Sequence, residues 1–277
     1  MTGLDPLIRA LDAAAIDGRT VDLWWRDDDL EAPSEALDHL LAALAPHGIV
    51  PALAAVSARL SGEAVAALGD SGAVMFSHGW THTNHAPPAE KSSEFGPHRP
   101  IEDRLTDCRD ARMRLSAIAG DRAVPCFVPP WNRIGDDLAD RLAETGLRAL
   151  SGFVGFGRAP QPAAVPRLDT HVDLIDWRGT RRPISVEGAA AAVATWVERR
   201  LAEDHDTGVD APIGILSHHR VTDRAAWASW KPLWALLAAH PAARWLPPRQ
   251  ALSVVGVSRE DVTGTGVAAE RDRGRYT

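Results

Sequence analysis

The chain has 277 residues, 45% of them apolar, with 37 acidic and 30 basic residues and a formal net charge of −7. A chain of this length buries a core without disulfide or metal staples. Its acidic balance offers no electrostatic attraction for nucleic acid or an anionic membrane. Cys108 and Cys126 are too few for a disulfide framework and are not spaced as a metal pair. The first fifteen residues carry Asp5, Arg9 and Asp12 among apolar positions, unlike a signal peptide. No apolar run approaches the roughly 18–20 residues needed to span a bilayer. A cytoplasmic protein is the expectation. Ten tryptophans against one tyrosine is a conspicuous imbalance.

Leu4–Ala15 reads as a helix and Val21–Trp25 as a short strand. In Ser34–Ala45, Leu37, Leu40, Leu41 and Leu44 recur at helical spacing, and His47-Gly48 ends the run. Ile49–Val56 reads as a strand, Gly62–Leu68 as a helix and Ala73–Phe76 as a strand. His78–Arg99 has no period and many polar residues and prolines, the mark of a long loop. Ile101–Ile118 is a helix with Leu105, Met113, Leu115 and Ile118 on its apolar face. Strand Val124–Val128, helix Asp136–Glu144 and strands Leu147–Leu150 and Val172–Ile175 follow. Helix Gly188–Leu201, strand Ile213–Leu216 and helix Asp223–Ala239 complete the alternation. This alternation predicts a parallel α/β sheet, and its number of units suits a barrel better than an open sheet. One domain over residues 1–256 is expected, with a polar, Gly-rich tail over 257–277.

In parallel α/β folds function collects on the loops after the strand C-termini. Four strands here run into unusual groups: Arg26-Asp27-Asp28-Asp29, Ser77-His78 through His85, Pro129-Pro130-Trp131-Asn132, and Ser217-His218-His219. Three adjacent carboxylates repel one another and need a cation or exposure. A solvated turn or a helix N-cap before Pro33 is the plain alternative. His78 and His82, with three residues between them and His85 close behind, can converge on one metal. Equally, they can be ordinary surface or core histidines. Two histidines plus a carboxylate, with positions left open for water, make a catalytic metal site. A single His after an aliphatic strand is a natural general acid.

The order of these groups carries more than any one of them. Strand–Asp-Asp, strand–His-x-x-x-His, strand–Pro-Pro-aromatic, Asp-Trp and Ile-Leu-x-His resembles the polysaccharide deacetylase (NodB-like carbohydrate esterase) family, as a divergent branch. The motif-level likeness runs from Leu23 to His219. It implies a distorted parallel (β/α) barrel of about seven strands and a metal-dependent deacetylase. The cofactor implied is a divalent metal ion, zinc first, with cobalt, iron or manganese as alternatives. By the resemblance Asp28 is the base, Asp29, His78 and His82 hold the metal, and His218 is the acid. The register Asp27–Asp28 for base and ligand stays open, as does His219 for His218. Asp176-Trp177 sits where the fourth motif belongs, with Asp173 three residues before Asp176. The third motif departs: the family's Arg is Val128 here, its Tyr is Trp131, and Asn132 follows. Arg26, beside the triplet, is the guess for the missing charge, with Asp27 and Asp176 as further supporting residues.

Substrate contacts are expected from Trp131, Asn132, Trp177 and His85. The partner is a small-molecule or oligosaccharide substrate, with no nucleic acid or membrane, and the oligomeric state is open. A non-sugar amide or imide, or a non-catalytic carbohydrate-binding role, are the competing readings. Of the tryptophans, Trp227, Trp230 and Trp234 step by three and four along one helix face and read as core. Trp24, Trp25, Trp80, Trp131 and Trp177 adjoin the motifs and could wall a site.

Overall fold

A computed structural model describes residues 3–155, 162–202 and 211–263. The strands are β1 (Val21–Leu30), β2 (Pro51–Ala55), β3 (Val74–Ser77), β4 (Ala123–Phe127), β5 (Ala149–Leu150), β6 (Val172–Asp173), β7 (Ile213–Ser217) and β8 (Ala243–Trp245). The helices are α1 (Asp5–Ile16), α2 (Glu35–Leu44), α3 (Gly62–Ala67), α4 (Ile101–Ala119), α5 (Asp136–Ala139), α6 (Val186–Ala202), α7 (Arg224–Ala239), α8 (Pro248–Val254) and α9 (Arg259–Thr263). Side-chain caps start five of them: Ser34, Ser61, Ser185, Asp223 and Ser258 accept the backbone N–H three residues on.

All strand pairs are parallel, in the order β5-β4-β3-β2-β1-β7-β6, with β8 pairing the start of β1. The two ends of this sheet are drawn together by residues 166–173. Leu168 and Thr170 donate to the carbonyls of Leu150 and Gly152 on one side, and His171 donates to Gly214 of β7 on the other. The result is the distorted (β/α) barrel that the alternation and the resemblance predict, with β1 at its centre. Gly214 lies under this crossing, where an added Cβ would sit 2.6 Å from the Asp169 carbonyl oxygen and 2.7 Å from Thr170 Cα.

Because side chains alternate across a strand, β1 sorts its residues to two faces. Leu23 and Trp25 join the large cluster under α1, α2, α6 and α7, while Trp24 packs with Ala52, Ala54, Phe76 and Cys126 inside the barrel. Trp25 meets Trp234 edge-on at 4.9 Å, and Trp230 and Trp234 are fully buried, as their spacing predicts. Trp24 and Trp25 are also fully buried, so neither lines a site wall.

Several boundaries differ from the sequence reading. β1 runs on through the Asp triplet to Leu30, because β2 and β7 pair with it on both sides well past Trp25. β6 keeps only Val172–Asp173, and the expected helix Asp136–Glu144 breaks into α5 and a 3-10 turn at Leu142–Thr145. β8 and α8 had no periodicity long enough to announce them. Packing does not stop at residue 256: Val257 and Val262 are buried against the barrel-interior cluster, and Arg148 pairs with Asp261 at 3.2 Å. Residues 264–277 of the expected tail lie outside the described residues. No described helix is long and apolar enough to cross a membrane.

Candidate active site

The three aspartates of β1 go three ways. Asp28 shares a strand face with Arg26, two residues earlier, and the fully buried guanidinium holds it with Nε at 2.8 Å and Nη2 at 3.1 Å. The rest of the Arg26 fork is taken by the Ser151 carbonyl and hydroxyl, the Gly152 carbonyl and the Asn132 amide oxygen. Arg26 thus sets a buried positive charge against Asp28 from β1 itself. Asp27 faces the other way. One of its carboxylate oxygens accepts from the Ser217 hydroxyl at 2.5 Å, and the other pairs with His219 Nδ1. Trp25 Nε1 completes the group by donating to Ser217.

Asp29 breaks the alternation. The register of β1 with β2 shifts between Asp27 and Leu30, and Asp29 has φ of 73°. The irregularity turns its carboxylate to the rim, where Oδ1 lies 3.3 Å from both His78 Nε2 and His82 Nε2. One ligand atom from each residue falls within 4.8 Å of the others. The Val128 carbonyl lies 3.0 Å from His78 Nδ1, an engagement that orients the ring and turns Nε2 toward Asp29. Burial opposes charge on His78, but the Asp28 and Asp29 carboxylates outweigh it and raise its pKa. Burial and the neighbouring His78 lower the pKa of His82. Burial would raise Asp29, yet the His78 hydrogen bond and the surrounding histidines hold it well below the usual carboxylate range.

A residue of the overhanging loop, to which the sequence assigns no structural role, shapes this segment. Glu94, buried in the middle of the long segment after β3, accepts from Thr81 N at 2.7 Å, Thr81 Oγ1 at 2.9 Å and His82 N at 3.2 Å. Gly79 must be glycine beneath it, since a Cβ would meet Glu94 Oε2 at 2.3 Å. A buried carboxylate amid polar loop residues has no periodic signal, and only its cost of burial marks it in retrospect.

His218 follows β7, with Nε2 4.0 Å from Asp28 Oδ2. Trp177 stands edge-on to its ring at 4.9 Å and donates Nε1 to Asp173 at 3.0 Å. Burial pushes the Asp173 carboxyl up to about 6, although His218 charge pulls the other way. Asp173 is thus the half-buried carboxyl group that holds Trp177 beside His218. Asp176, singled out as supporting, instead accepts from Gly179 N and Thr180 N of its own turn. Trp131 lies against His82, ring centroids 4.3 Å apart. Asn132, expected to touch substrate, has its amide oxygen committed to Arg26. His85 is exposed, and its side chain makes no hydrogen bond or ion pair among the described residues. Of the five non-glycine residues with positive φ among the described residues, Asp29, His82, Trp131 and Asn132 cluster here. Such strain persists only where surroundings over-determine it, and it gathers at functional sites.

No protein-family model and no curated protein matches the sequence. Solved structures do match. A Mycobacterium smegmatis protein named provisionally as a polysaccharide deacetylase superposes with a TM-score of 0.60 at 14% identity, over 86% of this chain and 91% of that one. A family 4 acetyl xylan esterase from Clostridium thermocellum, solved with a cobalt ion, gives 0.50 at 15% identity, over 87% and 94%. A CE4 family pseudoenzyme from Bacillus anthracis gives 0.54 at 11% identity, over 84% and 66%. The chain thus has the fold of the family 4 carbohydrate esterases and polysaccharide deacetylases.

Proposed function

We propose that the chain is a metal-dependent hydrolase that removes an acyl group, acetyl first among them, from an amino sugar or glycan fragment. The carrying observation is the convergence of Asp29, His78 and His82 within 4.8 Å, beside an Arg-held carboxylate and a histidine. One carboxylate and two imidazoles suit zinc, cobalt, iron or manganese, and the engaged Nδ1 of His78 leaves its Nε2 free to ligate. When bound, such an ion polarises the acyl carbonyl and lowers the pKa of a nearby water. Asp28 takes the proton of the attacking water, with Arg26 fixing its two oxygens; general-base help of this kind is worth about 10²–10⁴-fold. A backbone N–H near Trp131 meets the developing oxyanion. His218 protonates the leaving nitrogen or oxygen, which an amine leaving group requires. Trp131 and Trp177 offer flat walls to a sugar ring.

The competing reading, a non-catalytic relative, draws on Val128 and on the pseudoenzyme among the structural neighbours. The Arg26–Asp28 pair favours the hydrolase, since a guanidinium reaches the carboxylate from β1 although Val128 carries none. Metal analysis of the purified protein beside His78→Ala, with acetate release from N-acetyl sugars and simple acyl amides, decides between them. About one equivalent of divalent metal is expected in the wild type and none in the variant, with acetate released only by the wild type. A metal-free, chelator-indifferent protein that releases no acetate overturns the reading. Acetate from the simple amides alone moves the substrate away from sugars.

A further inference from the structure

The loop after β6 starts at the site and then turns cationic. Trp177, 42% exposed, forms the wall against His218, and Arg178, Arg181 and Arg182 follow it in the next five residues. All three arginines are exposed. Elsewhere the arginines mostly have partners: Arg59, Arg99, Arg104, Arg141, Arg167 and Arg244 each pair with a carboxylate. Arg178, Arg181 and Arg182 have no side-chain hydrogen bond or ion pair among the described residues. In a chain of net charge −7, three exposed arginines without a carboxylate partner on one short turn make a local positive patch.

The turn is also held in place. Asp176 accepts from Gly179 N at 2.9 Å and Thr180 N at 2.8 Å, so its charge serves the turn's own backbone. Arg181 N donates to the Asp176 carbonyl at 2.7 Å, and Asp176 N to the Arg182 carbonyl at 3.0 Å, closing the loop. A Cβ on Gly179 would sit 2.4 Å from Asp176 Oδ2, so a side chain there would displace the carboxylate that ties the turn. Arg181 takes φ of 54°, the fifth strained non-glycine residue among those described. An ordered turn presents its guanidinium groups with less lost freedom than a floppy one.

We infer that the Arg178–Arg182 turn is a subsite for an anionic group, phosphate or carboxylate, carried by the substrate on its amine fragment. Guanidinium forks match both oxyanions in geometry. The assignment to the amine fragment rests on the proposed acyl-hydrolase chemistry. His218 hands its proton to the leaving nitrogen, and Trp177 joins His218 to the turn. The group beyond the turn is then the one that leaves with the amine, not the acyl group. The substrate class narrows from glycans in general to acylated amino sugars bearing a negative charge.

The test is equilibrium binding of three probes, with and without added zinc: N-acetylglucosamine, N-acetylglucosamine 1-phosphate and N-acetylmuramic acid. Wild type is compared with the triple variant Arg178→Gln, Arg181→Gln, Arg182→Gln, whose folding is checked by thermal unfolding. At least one charged probe is expected to bind about tenfold or more tightly than the neutral sugar, with the advantage fading as salt rises. In the triple variant that ratio falls to about one. Preference for the phosphate or the carboxylate probe names the source. Equal affinity for all three probes, no binding at all, or an advantage that survives in the triple variant overturns the inference. Binding and turnover separate the two readings. Anion-dependent binding without acetate release leaves the subsite standing and fails the hydrolase. Rapid release from neutral sugar with no gain from charge does the reverse.

Discussion

At the residue scale, the site is built by doubling. Adjacent Asp27 and Asp28 face opposite sides of β1, and adjacent His218 and His219 divide in the same way. One Asp–His pair, Asp28 with His218, looks into the barrel mouth. The other, Asp27 with His219, is sealed beneath it and ties the start of the His218 turn to β1. The doublets in the sequence showed the residue types but not which member faced where, because a one-residue change in register reverses every face. Pairing with β7, Asp27 against Ser217, decides it. The same pairing makes Arg26 a positioning residue for Asp28. Arg26→Lys keeps a charge but loses the fork that grips both carboxylate oxygens and Asn132 together. We expect kcat/KM to fall by roughly 10²-fold while metal content stays unchanged. Equal loss of both, by steady-state kinetics and metal analysis on one preparation, would instead make Arg26 a structural support for the whole rim.

At the element scale, the long loop after β3 is less a loop than a clamp. Asn84 accepts from Ala86 N and Ser93 N, and His85 N donates to the Ser93 carbonyl, so the excursion closes on itself before Glu94 enters the interior. Phe95 then packs edge-on against Phe127 at 5.0 Å. Glu94 thus sets the backbone of Thr81 and His82 from an anchored position. Glu94→Gln keeps the shape but replaces one acceptor oxygen by a donor facing backbone N–H groups. Its expected effect is a loss of metal affinity of about 10–100-fold, the usual consequence of disturbing support behind a ligand, read by competition with a chelator. Unchanged affinity would mean that His82 holds its position without the clamp. Periodicity finds strands and helices, and it located seven of the eight strands here. It says nothing about an aperiodic segment whose order comes from one buried carboxylate, which is why this segment read as an open loop.

At the scale of the whole molecule, the barrel is closed by the crossing at residues 166–173, and a histidine sits in the seam. His171 is buried, accepts from Gly214 N at 2.9 Å through Nδ1, and stands edge-on to Trp196 at 4.6 Å. Burial, with Arg200 and Arg199 adding to it, pushes its pKa down to about 3. Unfolded, the same imidazole titrates near 6.5. The unfolded chain therefore binds a proton that the folded chain refuses throughout that window. This contribution to stability is complete above pH 6.5 and is lost as pH falls toward 3, with a slope approaching about 1.4 kcal/mol per pH unit. Comparing denaturant unfolding of wild type and His171→Phe isolates it. The variant is expected to be less stable at neutral pH, having lost the Gly214 acceptor, but to decline less steeply on acidification. Parallel pH curves would assign the acid sensitivity elsewhere.

The three candidate ligands sit on parts of very different permanence. Asp29 belongs to β1, whose residues pair with β2, β7 and β8, whereas His82 lies outside any strand, its backbone N–H held by the Glu94 carboxylate. Backbone amides protected by such a central strand exchange with solvent only when the whole molecule opens, while those of a pinned loop exchange through local fluctuations. Hydrogen–deuterium exchange without metal should show slow exchange at Trp25–Asp27 and much faster exchange at Thr81 and His82. Added zinc should slow the second group and leave the first unchanged. Warming would then release the cation through the loop while the barrel and its aspartates remain intact, a reversible inactivation well below the melting temperature.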